Sequence, residues 1–200
     1  MMHPGTELKF INNEIGFGVF AKEFIPKGTI TWSIDALDRA IPQKDVEKLD
    51  EIYWAQIDKY CYRNRKGDFI LCWDYARFVN HSFRPNCFTT PYEFEVAIKD
   101  ILPGEELTDD YGYLNVTEPF VPFDEGTERK VVYPDDLLRY GKEWDQILLS
   151  VFPEVLKVSQ PLRRLIKDGD WKKLTDIVAG TREMDSLTSN HFNGQLVRKA

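Results

Sequence analysis

The chain has 200 residues, of which 42% are apolar, 14% aromatic and 30% charged, with a net charge of −7. That is enough for one or two domains with a real core, and it excludes a disordered, collagen-like or low-complexity chain. The acidic balance argues against direct nucleic-acid binding, suits a cationic partner, and leaves no basic surface to explain.

No stretch approaches about 18 consecutive apolar residues, so no membrane-spanning helix is expected. MMHPGTELKF lacks the basic-then-apolar signature of a leader, which points to an intracellular protein, cytoplasmic or nuclear. Cys61, Cys72 and Cys87 are odd in number and form no CxxC pair. Neither a disulfide framework nor a structural zinc cluster is expected from them, and they read as small buried thiols.

Residues 8–35 read as strands broken by turns at Asn12-Asn13-Glu14 and Pro26-Lys27-Gly28, with Ile30, Trp32 and Ile34 alternating as in a half-buried strand. Pro42 opens one helix whose apolar stripe is Val46, Leu49, Tyr53, Ile57 and Tyr60. A strand at 60–63, a turn at Asn64–Asp68 and a strand over Phe69–Trp73 follow, and then the apolar run Ala76–Val79, read as a core strand. Val19-Phe20-Ala21-Lys22-Glu23-Phe24-Ile25-Pro26 is echoed by Val96-Ala97-Ile98-Lys99-Asp100-Ile101-Leu102-Pro103. Each copy leads into a glycine bend, Gly28 or Gly104, which suggests two similar arms packed together in a β core. Beyond residue 115 a proline-rich aromatic linker, 118–123, precedes three helices. The first opens at Pro134-Asp135-Asp136, carries Leu137, Tyr140, Trp144, Ile147 and Val151, and ends at Pro153. A short one carries Leu162, Leu165 and Ile166 and stops at Gly169; another starts at Asp170 as N-cap and stops at Gly180. Residues 181–200 show little periodicity and read as a mobile tail.

Three segments carry chemistry. Gly16-Phe17-Gly18 is either a simple turn or a place where the backbone approaches a ligand closely. Asn80-His81-Ser82-Phe83-Arg84-Pro85-Asn86 crowds polar residues after an apolar run; no GxSxG elbow makes Ser82 a nucleophile. Glu105-Glu106-Leu107-Thr108-Asp109-Asp110-Tyr111-Gly112-Tyr113 sets acids beside tyrosines and a glycine. Taken singly, each of these also fits a turn or an exposed strand end.

In their order, IGFGVFA, ARFVNHSFRPN and GEELTDDYG, the three resemble the marks of SET-domain protein lysine methyltransferases, over roughly residues 5–115. The resemblance implies a mainly β fold of several small sheets with a C-terminal pseudoknot, here followed by an α-helical C-terminal extension. It divides the chain into a SET domain at 1–115, with a helical insert at about 42–60, and a linker and helical extension at 116–200. It also implies S-adenosylmethionine as methyl donor and a lysine side chain of a protein, of a basic, histone-like kind, as acceptor. Gly16, Phe17 and Gly18 would hold the donor's amino-acid end, Asn80 its methionine part and His81 its adenine. Tyr111 would stand beside the transferred methyl as an orienting group. A second channel tyrosine is expected, with Tyr62 favoured over Tyr60 and Tyr113.

This chain departs from the family's pattern at three points: its cysteines, Asp109, and a shortened connection in which Trp73-Asp74-Tyr75 leads straight into Ala76. Phe83 replaces the first cysteine of the usual NHSC, and no CxC follows, so no metal site is expected and some other element must close the cleft. Phe120 or Phe123 is expected to cover the adenine; the alternative is that both simply pack on the helices. Asp109 stands two residues before the tyrosine, where Phe or Tyr is usual, and either holds an ammonium or points to solvent. Two rival functions remain: a catalytically silent SET module that binds a peptide or scaffolds a complex, and an enzyme using the same donor on a small molecule.

Overall fold

The computed structural model describes residues 1–194. The chain begins with a hairpin, β1 (Thr6–Asn12) and β2 (Gly16–Ala21). Its turn is fixed by Asn12, whose Oδ1 accepts from the backbone N–H groups of Glu14 (2.9 Å) and Ile15 (2.8 Å). Then come β3 (Ile30–Ser33), β4 (Arg39–Ile41), α1 (Gln43–Val46), α2 (Glu51–Tyr60), β5 (Cys61–Arg63) and β6 (Phe69–Leu71). β7 (Asn80–His81), β8 (Cys87–Thr89), β9 (Phe94–Ala97) and β10 (Glu106–Asp109) complete the strands, and α3 (Asp136–Val155) and α4 (Asp168–Val178) follow. The strands form three small sheets, in the orders β1-β2-β10-β7, β3-β9-β8 and β4-β6-β5.

The two echoed arms pair directly. Ile25 and Ile101 exchange both backbone hydrogen bonds at 2.9 Å, and the Gly104 N–H donates to the Ala21 carbonyl at 2.7 Å. β10 lies antiparallel to β2, with Leu107 opposite Val19, and parallel to β7, with Asp109 opposite His81. This crossing is of the knot-like kind that the resemblance implies, and Asn86 fastens it. Its Nδ2 donates to the Glu106 carbonyl (2.7 Å) and its Oδ1 accepts from the Thr108 N–H (2.8 Å), with the side chain buried. Asn86→Ala leaves two β10 backbone groups without partners. It is expected to cost about 2–4 kcal/mol in a urea melt. A loss under about 0.5 kcal/mol would show that β10 is held by something else.

The helical extension does not stand apart from the sheets. Leu137, Trp144, Leu148, Val151 and Phe152 of α3 share one core with Phe88, Phe94, Val96 and Tyr113. Gln160 adds a polar fastening, donating to the Gly28 carbonyl and accepting from the Ile30 N–H, both at 2.8 Å. No helix of the described residues is long and apolar enough to cross a membrane.

Several local expectations need correction. The helix expected from Pro42 to Tyr60 is two, because Asp50 caps a new start by accepting from the Ile52 N–H (3.1 Å). Of its stripe only Val46 and Ile57 are buried, while Leu49 and Tyr53 are exposed. The apolar run at Ala76–Val79 is no strand. Asp74 accepts from the Ala76 N–H (2.9 Å) and starts a 3-10 turn over Tyr75–Phe78. α3 runs past Pro153 to Val155, because Phe152 and Val155 are both fully buried. The short helix around Leu162–Ile166 is a single 3-10 turn, Arg163–Leu165. α4 begins at Asp168 and includes Gly169 in its first turn, where Asp168 and Asp170 suit the helix dipole. The tail is not loose over 181–194. A 3-10 turn, Leu187–Asn190, buries Leu187 and is held to α3 by Asp145, which accepts from the Ser186 hydroxyl (2.6 Å) and the Leu187 N–H (2.7 Å). Residues 195–200 of that expected tail lie outside the described residues.

Candidate active site

The crossing of β10 over β7 gathers residues distant in sequence around one cleft of about 1330 Å³. Gly16, Phe17, Tyr62, Asn80, His81, Tyr111, Phe120 and Phe123 all line it. Gly18 does not. A Cβ there would stand 2.4 Å from Glu106 Oε1 and 3.1 Å from Asn80 Nδ2, so Gly18 serves the close approach of the protein's own side chains. Gly16 is the reverse case. Its φ of +87° is a left-handed conformation, and nothing lies within 4 Å of where a Cβ would point.

Asn80 ties the first segment to the third. Its Nδ2 donates to the Phe17 carbonyl (3.0 Å) and to Glu106 Oε1 (2.7 Å). Burial pushes the Glu106 carboxyl up, partly offset by that Asn80 bond. His81 Nδ1 accepts from the Tyr111 N–H at 3.1 Å, which puts the imidazole proton on Nε2. Burial pushes the His81 pKa down to about 4, so the ring is neutral at pH 7, and Nε2 is buried with no partner among the described residues.

The Tyr111 hydroxyl donates to the Val79 carbonyl at 2.8 Å. Burial, then the charges of Asp109 and Glu106, hold its phenol far above the ordinary value. Tyr111 is therefore a neutral donor and not a base. Tyr62 is likewise held neutral by burial and meets Trp32 edge-on at 6.0 Å. Tyr113 takes no part in the cleft wall: it is 2% exposed, against Phe88 and Trp144 in the core. Its hydroxyl donates to Asp109 Oδ1 at 2.9 Å.

Asp109 does not face solvent. It is 4% exposed, its carboxyl is hydrogen-bonded to that of Glu95, and both border the cleft. Burial raises both pKa values. Their mutual hydrogen bond adds to the rise at Glu95 and offsets part of it at Asp109.

The segment after residue 115 folds back over the cleft. Phe120 pairs with Val132 through two backbone bonds (2.9 and 2.8 Å) and sets its ring 5.8 Å from Tyr111 and 5.9 Å from His81. Phe123 lines the same cleft but is 57% exposed. Glu125 Oε2 ties this segment to the NHS turn, accepting from the Ser82 hydroxyl (3.1 Å) and the Phe83 N–H (2.9 Å). Arg129 is the main anchor. Its guanidinium bridges Asp110, next to Tyr111, and Asp136 of α3 (2.7 Å to the latter), and lies over the rings of Phe83 (4.6 Å) and Tyr140 (4.4 Å). Burial pushes the Asp110 carboxyl up against the pull of Arg129. Burial also disfavours the Arg129 cation, but its bonds to Asp110 and Asp136 more than offset this. Phe83, which replaces the usual cysteine, thus packs on Arg129 in a closure made of this chain's own ion pairs.

Glu95, Glu125 and Arg129 were not found by the sequence reasoning. Glu95 left one signal, a single acid in the run Phe94-Glu95-Val96-Ala97. Glu125 and Arg129 sit among other charges and left none.

A model of the SET domain matches residues 16–112, which span all three of these segments. Residues 16–112 are a SET domain. This SET-domain chain is 32% identical over 114 residues to a histone-lysine N-methyltransferase, H3 lysine-36 specific, of Schizosaccharomyces pombe, a match covering 51% of the chain and 14% of that protein. It is 31% identical over 145 residues to the human histone-lysine N-methyltransferase SETMAR, covering 62% and 21%. It is 31% identical over 121 residues to the histone-lysine N-methyltransferase ash1 of Drosophila melanogaster, covering 55% and 5%. The matches thus span at most about a fifth of these relatives' own length.

Proposed function

We propose that the protein transfers a methyl group from S-adenosylmethionine to a lysine side-chain amine of a basic, histone-like protein. The observation that carries this reading is the convergence of Tyr111, His81 and Asn80 with the Gly16 turn on one cleft, with the tyrosine held as a neutral donor. The cleft suits the donor's chemistry. Open space at Gly16 admits a polar group against the backbone, the orphaned His81 Nε2–H needs an acceptor, and the Phe120 ring offers a face for a flat base. Phe17 is held in place by Asn80 through its carbonyl, so Asn80 serves as much to shape the turn as to touch a ligand.

S-adenosylmethionine, when bound, supplies a methyl group already activated on a positively charged sulfur. The rest of the work falls to the protein. The acceptor must be uncharged, and only about one lysine in a thousand is neutral near pH 7.4. Tyr62 and Trp32 give an aromatic wall along which the aliphatic stem can slide. The Tyr111 hydroxyl fixes the direction of the nitrogen lone pair. In-line positioning of this kind is worth up to roughly 7–11 kcal/mol. The substrate class rests on the relatives' names and on the acidic surface, which favours a basic tail.

The test is incubation of the protein with isotope-labelled S-adenosylmethionine and purified core histones, with mass spectrometry of any labelled band. Label on a lysine is the expected outcome. Donor binding with no transfer to core histones or to a cell lysate would favour the silent peptide-binding module instead.

A further inference from the structure

Resting on the methyl-transfer reading, we propose that Asp109 and Glu95 form the anchor for the incoming lysine ammonium and take its proton. The aim is a group that reaches the reacting nitrogen and makes it uncharged, a task that Tyr111, held as a neutral donor, cannot perform.

The pair comes from two different sheets. Asp109 ends β10 and Glu95 lies in β9, and each is mostly hidden from solvent, at 4% and 9% exposure. Both nevertheless border the cleft, beside Trp32, Tyr62 and Cys72. Trp32 supplies a second, independent mark. It is 5% exposed and borders the same recess, and its indole N–H is buried with no acceptor among the described residues. A recess with aromatic walls, a pair of buried carboxyls and an unused N–H donor suits an alkylammonium head and a water beside it. Asp109 also sits close enough to Tyr111 for its charge to bear on the phenol, so the pair is near the group that aims the amine.

The charged groups facing the pair are few. Asp110 bears on Asp109, and the N-terminal ammonium bears on Glu95. Cys72, Cys87 and Tyr62 feel the pair's charge but stay protonated, being buried. Asp110 is already bound to Arg129. In the proposed step the pair begins with one proton between its two carboxyls.

The step balances as a proton transfer followed by methyl transfer. An N–H bond of the ammonium breaks as an O–H bond forms on Asp109, leaving the pair doubly protonated and neutral. The freed lone pair then forms the N–C bond while the electrons of the S–C bond stay on sulfur. The product leaves as a methylammonium, and the pair returns its extra proton to water through the cleft.

The test has two readouts. In the first, methyl transfer to core histones is followed from pH 5 to 10 for the wild type, Asp109→Asn and Glu95→Gln. Asp109→Asn is expected to lower the rate at pH 7 by about 10²–10⁴-fold, the span of general acid–base catalysis. The same variant is expected to lose the acid limb of the wild-type profile, its rate instead climbing towards the lysine's own titration near ~10.4. Glu95→Gln, which keeps a donor to Asp109, is expected to shift the limb towards acid with a smaller loss. A folded Asp109→Asn protein with wild-type rate and profile overturns the proposal; if Asp109→Asn does not fold, an unmoved limb in Glu95→Gln does so. In the second readout, carboxyl ¹³C resonances of the wild type are followed as n-butylammonium or n-butanol is added. A shift at Asp109 with the amine alone is expected, and no difference between the two overturns the anchor. If histones stay unlabelled while Asp109 answers to the amine, the methyl-transfer reading fails and the ammonium site stands.

Discussion

Arg129→Met is expected to destabilise the protein by about 3–5 kcal/mol at pH 7 and to lower its melting temperature by roughly 6–20 °C. Methionine keeps much of the volume and the contact with Phe83 and Tyr140 but removes the charge. Asp110 then loses its ion-pair partner and Asp136 keeps only the longer contact to Arg139 at 4.0 Å, while both side chains stay buried, at 2% and 1% exposure. The sign of the pH effect follows. Without Arg129, burial raises the folded-state pKa of the Asp110 carboxyl further above the unfolded value. The variant then binds more protons folded than unfolded, and it loses stability as pH rises through that window. Its deficit against the wild type should be largest at pH 7 and shrink towards pH 4.5. Thermal melts at the two values check this, and an equal deficit at both would show that the loss is one of packing. Donor affinity should fall as well, since the segment carrying Phe120 loses its tie to the tyrosine turn.

Tyr111→Phe is expected to leave the fold and donor binding nearly intact while methyl transfer drops by roughly 10- to 1000-fold. The substitution removes one hydroxyl, bound only to the Val79 carbonyl, and keeps the ring that faces His81 and Phe120. The effect should therefore appear in kcat with little change in the dissociation constant for S-adenosylmethionine, measured by calorimetry. Unchanged transfer would remove Tyr111 from the role of orienting group. Equal losses in donor binding and in transfer would place it among the donor's contacts instead.

Much of the fold could be read from local pattern. The stripe of α3 faces the core as its spacing requires, and the paired arms carry similar short strings of residues. Asn80, His81 and Tyr111 were legible because they sit in dense motifs. What could not be read depends on partners far away in sequence. Asp110, Arg129 and Asp136 become a network only when three separate segments meet, and each alone resembles a solvated surface charge. Asp109 is the sharpest case. Position alone left it facing either an amine or solvent, and only the placement of Glu95, on a strand of another sheet, shows it buried against another carboxyl. The run at Ala76–Val79 was misread because a short apolar string suits a strand or a turn equally. Asp74, just ahead of it, decides the matter through one hydrogen bond.

The crossing of β10 also bears on how the molecule acquires its shape. β2 can complete its sheet only when Leu107 arrives opposite Val19, and among the described residues β7 has no strand neighbour other than β10. Contacts so remote along the chain close late and slowly, on the millisecond-to-second scale of high contact order. Helix α3, built from local contacts, can form earlier and wait. On a ribosome the hairpin of β1 and β2 would emerge with one edge uncovered until β10 has been made. The nascent chain is therefore most exposed to aggregation, and most in need of a chaperone, in the interval before residue 110 is free to move.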